Sequence, residues 1–168
     1  AGRSATALAA GEQHSCAIFS SGSVACWGHG SSGQLGTGVS ADIGDDLDEM
    51  GAALKTVNLG SGRYATAITA GNTHTCALLN NAMVRNVMVN GAVACWGGNS
   101  KGQLGIGSTY NIGDRRGQMG DSLQLVNLGT GKTATAIASR IDHTCAILVG
   151  GAVVCWGSNA QGQLGIGN

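Results

Sequence analysis

Histidine, cysteine and tryptophan recur in this chain at spacings that could ligate zinc, hold a reactive thiolate or form disulfides. His14-Ser-Cys16 leads to Cys26-Trp27-Gly28, His74-Thr-Cys76 to Cys95-Trp96-Gly97, and His143-Thr-Cys145 to Cys155-Trp156-Gly157. Each set is followed by Gly-Gln-Leu-Gly-x-Gly, at 33–38, 102–107 and 162–167. Histidine and cysteine two apart on a strand share a face, so His14, Cys16 and Cys26 could offer three ligands to zinc. A cysteine–histidine nucleophile would need one activated thiolate with an orienting partner. A pattern in triplicate instead reads as architecture. Three disulfides, each beside a hydrogen-bonded structural histidine (His14, His74, His143), are the favoured reading, against zinc and against reduced thiols buried as small hydrophobes. Trp27, Trp96 and Trp156 alternate with the cysteines and should pack between units. No catalytic, cofactor-binding or metal-binding residue is assigned.

Composition sets the class. At 168 residues and 43% hydrophobic content the chain can bury a core. Thirty glycines, no proline and 4% aromatic content point to short extended segments joined by tight turns, hence an all-β protein. Nine basic and nine acidic side chains cancel, which leaves no global field to attract nucleic acid or an anionic membrane. No run reaches the roughly 18 apolar residues of a membrane-spanning helix, and the first residues lack the regions of a signal peptide. Six cysteines in three positional pairs favour an oxidising compartment, whether secreted, cell-surface or an organelle lumen.

The elements that position these residues repeat with a period of about 60, since His14 to His74 and Trp96 to Trp156 each span 60 residues. The units are 1–51, 52–120 and 121–168. In each, a first strand is expected over 2–8, 62–68 or 131–137, a second through His-x-Cys-Ala and a third through Val-x-Cys-Trp-Gly. A fourth is expected at 54–59 and 123–128. Four short antiparallel strands per unit is the grammar of a β-propeller blade, which gives eleven strands in about three blades of an incomplete ring. The chain starts inside a first strand and stops before a third fourth-strand, which suggests a piece of a longer chain or one completed by another chain. Hairpin counting sets the register: a three-residue loop at 20–22 or 149–151 puts Cys16 opposite Cys26 and Cys145 opposite Cys155, while a two-residue turn at Arg85-Asn86 puts Cys76 opposite Cys95. Opposed residues at a non-hydrogen-bonded site are close enough to bridge.

The assembled pattern, Gly-x-x-His-[Ser/Thr]-Cys-Ala followed by Gly-x-Val-x-Cys-Trp-Gly and Gly-Gln-Leu-Gly-x-Gly, resembles the repeat of the regulator of chromosome condensation family. The resemblance implies blades of a seven-bladed propeller, and the cysteines resemble a secreted or surface subset of such repeats. The family's founder catalyses nucleotide exchange on the GTPase Ran through loops and a wedge, no full set of which is matched here. Members that sense ultraviolet-B light carry tryptophan in a Gly-Trp-Arg-His-Thr segment. The corresponding Gly11-Glu-Gln-His14, Gly71-Asn-Thr-His74 and Ser139-Arg-Ile-Asp-His143 have none, which argues against photoreception.

Function is then sought where the copies differ. The glycines at 33–38 lack the Lys-Ser/Thr and following helix of a phosphate loop, and turn geometry accounts for them. The acidic loop 42–49 could gather oxygens for calcium, but Arg115 and Arg116 stand in its counterpart, so it is no shared metal loop. The insertion 81–89 is the sharpest difference. It lengthens the second hairpin, with Ala82, Val84, Val87 and Val89 on one face and Met83 and Met88 on the other. Met83, Val84, Arg85, Val87, Met88 and Val89 are the partner-binding candidates, since such an apolar projection asks to be covered. The expected function is a non-enzymatic module binding a protein partner or other subunits, not nucleic acid and not a small molecule. A GTPase exchange factor and a calcium- or carbohydrate-linked adhesin are the alternatives.

Overall fold

Alanine alternating with threonine, leucine or isoleucine over six or seven positions gives each repeat its first strand, and glycine turns delimit it. The structure, a computed structural model, describes residues 3–84 and 86–167. The first sheet comprises β1 (Ala5–Ala10), β2 (His14–Phe19) and β3 (Val24–Gly28) in the order β1-β2-β3. The second comprises β4 (Tyr64–Ala70), β5 (His74–Asn80) and β8 (Ala92–Gly97), with a separate ribbon of β6 (Ala82–Val84) and β7 (Val87–Val89) at the tip of its hairpin. The third comprises β9 (Ala134–Arg140), β10 (His143–Leu148) and β11 (Val153–Gly157). All the pairings are antiparallel. The three sheets stand side by side, β4 beside both β1 and β9, as blades of a propeller.

Register follows the counting. Cys16 lies opposite Cys26, Cys76 opposite Cys95, and Cys145 opposite Cys155. All three pairs are disulfide-bonded, with Cα–Cα distances of 4.0, 4.1 and 4.1 Å. That leaves no thiolate for zinc or for nucleophilic attack. The disulfides staple the hairpins from inside, since Cys16, Cys26, Cys76 and Cys95 belong to the two apolar clusters that fill the spaces between blades.

Three expectations need correction. Segments 54–59 and 123–128 are not regular strands. Each lies along the outer strand of its sheet, held by one ladder-like bond, Val57 N–H to Val24 O (2.7 Å) and Val126 N–H to Val93 O (2.8 Å), with an isolated bridge between Ala94 and Leu125. They are fixed by burial of Leu54, Val57, Leu59, Leu123 and Val126 rather than by a full ladder. The described residues do contain eleven strands, but β6 and β7 make up the number. The inner strands also begin two or three residues later than expected, after the glycine turns. Finally, the insertion is not one continuous hairpin: Asn81 (φ 55°) and Gly91 (φ 84°) break the ladder between β5–β8 and β6–β7. The register nevertheless carries across the break, with Val84 opposite Val87 as counted. Arg85 of that turn lies outside the described residues, as does Gly2 of the expected first strand.

Closing a hairpin loop in the unfolded chain is worth about 3 kcal/mol for bridges of 10 to 19 residues' separation. Cys76→Ala/Cys95→Ala is therefore expected to lower the unfolding free energy by about 3 kcal/mol. Denaturant titration would show it, and reductant should no longer shift the double variant through that bridge.

Candidate functional site

The residues repeated in every copy meet between blades rather than within one. Gln34 lies in the glycine turn after β3, where its side-chain Oε1 accepts the Ser32 N–H (2.9 Å) and braces its own loop. Its main-chain oxygen crosses to the second blade and accepts two donors, the Thr75 hydroxyl (2.9 Å) and the Trp96 indole N–H (3.0 Å). Thr75 in turn lies 2.8 Å from His14 Nε2 of the first blade. The arrangement recurs at the next junction: Gln103 O takes Thr144 Oγ1 (3.2 Å) and Trp156 Nε1 (2.9 Å), and Thr144 lies 2.9 Å from His74 Nε2. Gly36 and Gly105 follow these glutamines at φ +66° and +67°, and a Cβ there would come within 2.9 and 2.8 Å of the Trp96 and Trp156 indole nitrogens. Glycine is required on both counts.

This network fixes a tautomer. The single proton of the Thr75 hydroxyl goes to Gln34 O, so His14 must donate through Nε2–H and keep Nδ1 as a bare acceptor. His14 Nδ1 and His74 Nδ1 are buried without hydrogen-bond partners, which is tolerable for a lone pair and costly for an added N–H. Burial, reinforced by neighbouring histidines, lowers both rings from 6.5 to about 4. The histidines are neutral struts, and the expectation of hydrogen-bonded structural histidines applies to His14 and His74. His143 and Trp27 are half-buried at the outer faces of the third and first blades, while Trp96 is fully buried. Alternation along β5 was the available signal for the relay: a hydroxyl stands beside the histidine in all three copies and must face the blade opposite to the one the disulfide faces.

The hairpin candidates divide by face. Ala82 at the base is fully buried. Val84, Val87 and Val89 line a cavity of about 440 Å³ together with Leu125, Leu128 and Lys132, so this face leans over the chain's own connecting segment 125–133, ahead of β9. Met83 and Met88 lie opposite one another on the other face, 49% and 65% exposed.

Sequence reasoning missed a Ser-His-Asp cluster peculiar to the first blade. His29 Nε2 lies 2.7 Å from Ser31 Oγ, and His29 Nδ1 lies 3.1 Å from Asp42 Oδ1. The order resembles a hydrolytic triad, but the nearby Ser32 and Gly33 N–H groups are taken by Gln34 Oε1 and Gly30 O, so neither is free to form an oxyanion hole. Asp42 accepts the Gly30 N–H (2.8 Å), as Asn111 accepts that of Asn99 (3.1 Å) in the second blade. It is a loop brace. Glu49 of the acidic loop accepts the Gly44 and Asp46 N–H groups, and Gln118 does the same for Gly113 and Arg115. The turn needs an acceptor there, not a charge, and its shape is explained without a cation.

Blades packed radially through this relay define the chain as a β-propeller repeat protein. A model of the regulator of chromosome condensation (RCC1) repeat matches residues 5–34 and 136–163, and the chain belongs to the regulator of chromosome condensation repeat family. It is 30% identical over 170 residues to the ultraviolet-B receptor UVR8 of Arabidopsis thaliana, covering 99% of this chain and 32% of that protein. It is 29% identical over 159 residues to the probable E3 ubiquitin-protein ligase HERC6 of Homo sapiens, covering 95% of this chain and 13% of that protein. The crystal structure of Prp20p from Saccharomyces cerevisiae has the same fold, with a TM-score of 0.66 at 23% identity over 95% of this chain and 33% of that one. The chain thus spans a third or less of the length of these proteins.

Thr75→Val removes a donor to Gln34 O and strands the His14 N–H, and should cost about 1–3 kcal/mol in chemical denaturation. Acid should weaken the fold as well. The unfolded histidines take up protons below 6.5 while the folded rings wait until about 4, so the unfolded state binds more protons in that window. Stability is complete above pH 6.5 and declines toward pH 4, with His14→Asn/His74→Asn flattening the slope measured by denaturation at stepped pH.

Proposed function

We propose that this chain is a non-enzymatic β-propeller module for protein–protein interaction or scaffolding, and that the hairpin 81–89 is its partner-binding element. The observation that carries the reading is the pair Met83 and Met88, exposed side by side on a ribbon whose base is locked by buried Ala82. Unbranched, polarizable methionines adapt to varied apolar surfaces, and a monomer rarely leaves such a projection in water without use. Val87, 60% exposed, and Val84 and Val89 extend the surface, with Arg85 completing the candidate set. The sequence repeats 1–51, 52–120 and 121–168 act here as one domain. Proteins of this fold take protein partners: one structure has Kap60 bound to yeast RCC1 (Prp20), and another concerns the binding of Prp20p to Gsp1p and histones. Three disulfides are the chemistry of an oxidising environment, and a secreted, surface or luminal site is the corresponding reading.

The test is Met83→Asp/Met88→Asp. Photo-crosslinking from position 86 at the exposed turn, in the native assembly, should capture a partner with wild-type protein and lose it by roughly tenfold in the variant, at unchanged thermal midpoint. Equal capture by the variant would sink the hairpin. Release of fluorescent GDP from a Ran-type GTPase is expected to be unaffected by the protein, whereas acceleration would favour the exchange-factor alternative.

A further inference from the structure

The four methionines of the chain occupy two kinds of environment. Met119 packs against the apolar cluster between the first two blades, its methyl and sulfur 3.1 and 3.4 Å from where a Cβ would stand on Gly36 and Gly113. Met50 turns its sulfur in over Gly44, 3.1 Å from the place of a Cβ there. Met83 and Met88 instead lie opposite one another on the β6–β7 ribbon, 49% and 65% exposed, on the face that does not line the cavity.

The remaining sulfur is already oxidised. All six cysteines are held in disulfides, and the bridges of the first and second blades are fully buried, so no thiol intercepts an oxidant before it reaches the hairpin. Oxidation of a thioether needs only access to a sulfur lone pair, and it turns a flexible apolar side chain into a polar, chiral one.

We infer that Met83 and Met88 form an oxidation site at which a peroxide switches off the apolar face of the hairpin; the switch rests on the partner-binding reading of that face, whereas the site does not. The sulfur lone pair attacks one peroxide oxygen, the O–O bond breaks and an S=O bond forms. Sulfur loses two electrons. The departing oxygen keeps the electron pair of the broken bond, takes the proton of the transferred oxygen and leaves as water, or as an alcohol where the peroxide carries an alkyl group. In the free protein each sulfoxide oxygen stays hydrated, but in an apolar interface it must give up that water without a replacement donor. Neither side chain supports the blade, and buried Ala82 closes the base of the ribbon, so the change reaches the interaction surface and not the fold. Oxygen on Met119 does the reverse, since its sulfur fills a junction between blades.

The test treats the intact chain with limiting hydrogen peroxide and follows each methionine by peptide mass. Met83 and Met88 are expected to gain one oxygen each before Met50 and Met119, at unchanged thermal midpoint. Photo-crosslinking from position 86 should then capture roughly tenfold less partner, because binding buries an unpaired polar group at each sulfur. Met83→Leu/Met88→Leu should capture as wild type does and be indifferent to peroxide, while Met83→Gln/Met88→Gln should lose capture without it. Oxidation of Met50 or Met119 ahead of the pair, undiminished capture by the oxidised protein, or equal peroxide sensitivity of the leucine variant would each overturn the inference. Failure of the hairpin reading is a different result: equal capture by Met83→Asp/Met88→Asp, which removes the switch and leaves the oxidation site to be decided by the order of oxidation.

Discussion

The fold depends on a carbonyl oxygen that belongs to one blade and is used by the next. Gln34 O and Gln103 O each accept a hydroxyl and an indole N–H from the following blade, and both lone pairs are spent, fully buried at the first junction and partly buried at the second. In such surroundings a satisfied network is strong and a half-satisfied one expensive, so each junction forms completely or not at all. This explains why one short stretch carries so many fixed residues. The glutamine side chain braces the turn, the glycine after it admits the indole, and the leucine between them, Leu35 or Leu104, fills the core beneath.

Disulfides and relay act at different ranges. The disulfides hold two strands of one blade together and reduce the freedom of the unfolded chain, while the relay holds blade to blade in the native state. A protein with 4% aromatic residues fills its core with alanine and leucine in equal number, joined by cysteine and valine, so many of its buried side chains are small. Covalent staples within units, combined with polar locks between them, compensate for a thin core, and nearest-neighbour coupling is what repeat architectures rely on.

Much of this was legible in the sequence. Internal repetition pointed to one sheet per copy, and hairpin arithmetic gave the cysteine partners, because strand register is a matter of counting once the turns are known. The outermost segments were overestimated: Val-Asn-Leu runs have the composition of strands, but their shape is set by where Val57 and Leu59 are buried, which composition does not encode. The His–Thr–Gln–Trp relay was invisible as geometry, since its members are some 40 to 60 residues apart in the chain, with separations of 41, 61 and 62 at the first junction. The His29–Asp42 brace was missed for a similar reason, as it exists only where His29 replaces the glycine found at position 98.

The enlarged hairpin obeys a parity rule. The first hairpin closes with three residues, 20–22, beyond the Phe19/Ser23 position, and the second leaves two sequence positions, 85 and 86, between the paired Val84 and Val87. Its cysteines are 19 apart instead of 10, a difference of nine: five added opposing pairs make ten residues, less the one by which the loop shortened. An odd insertion therefore leaves every pre-existing side chain facing as before only because the type of turn changed with it. Residues can thus be added at the tip in whole rungs while the disulfide keeps its face and the blade behind it keeps its register.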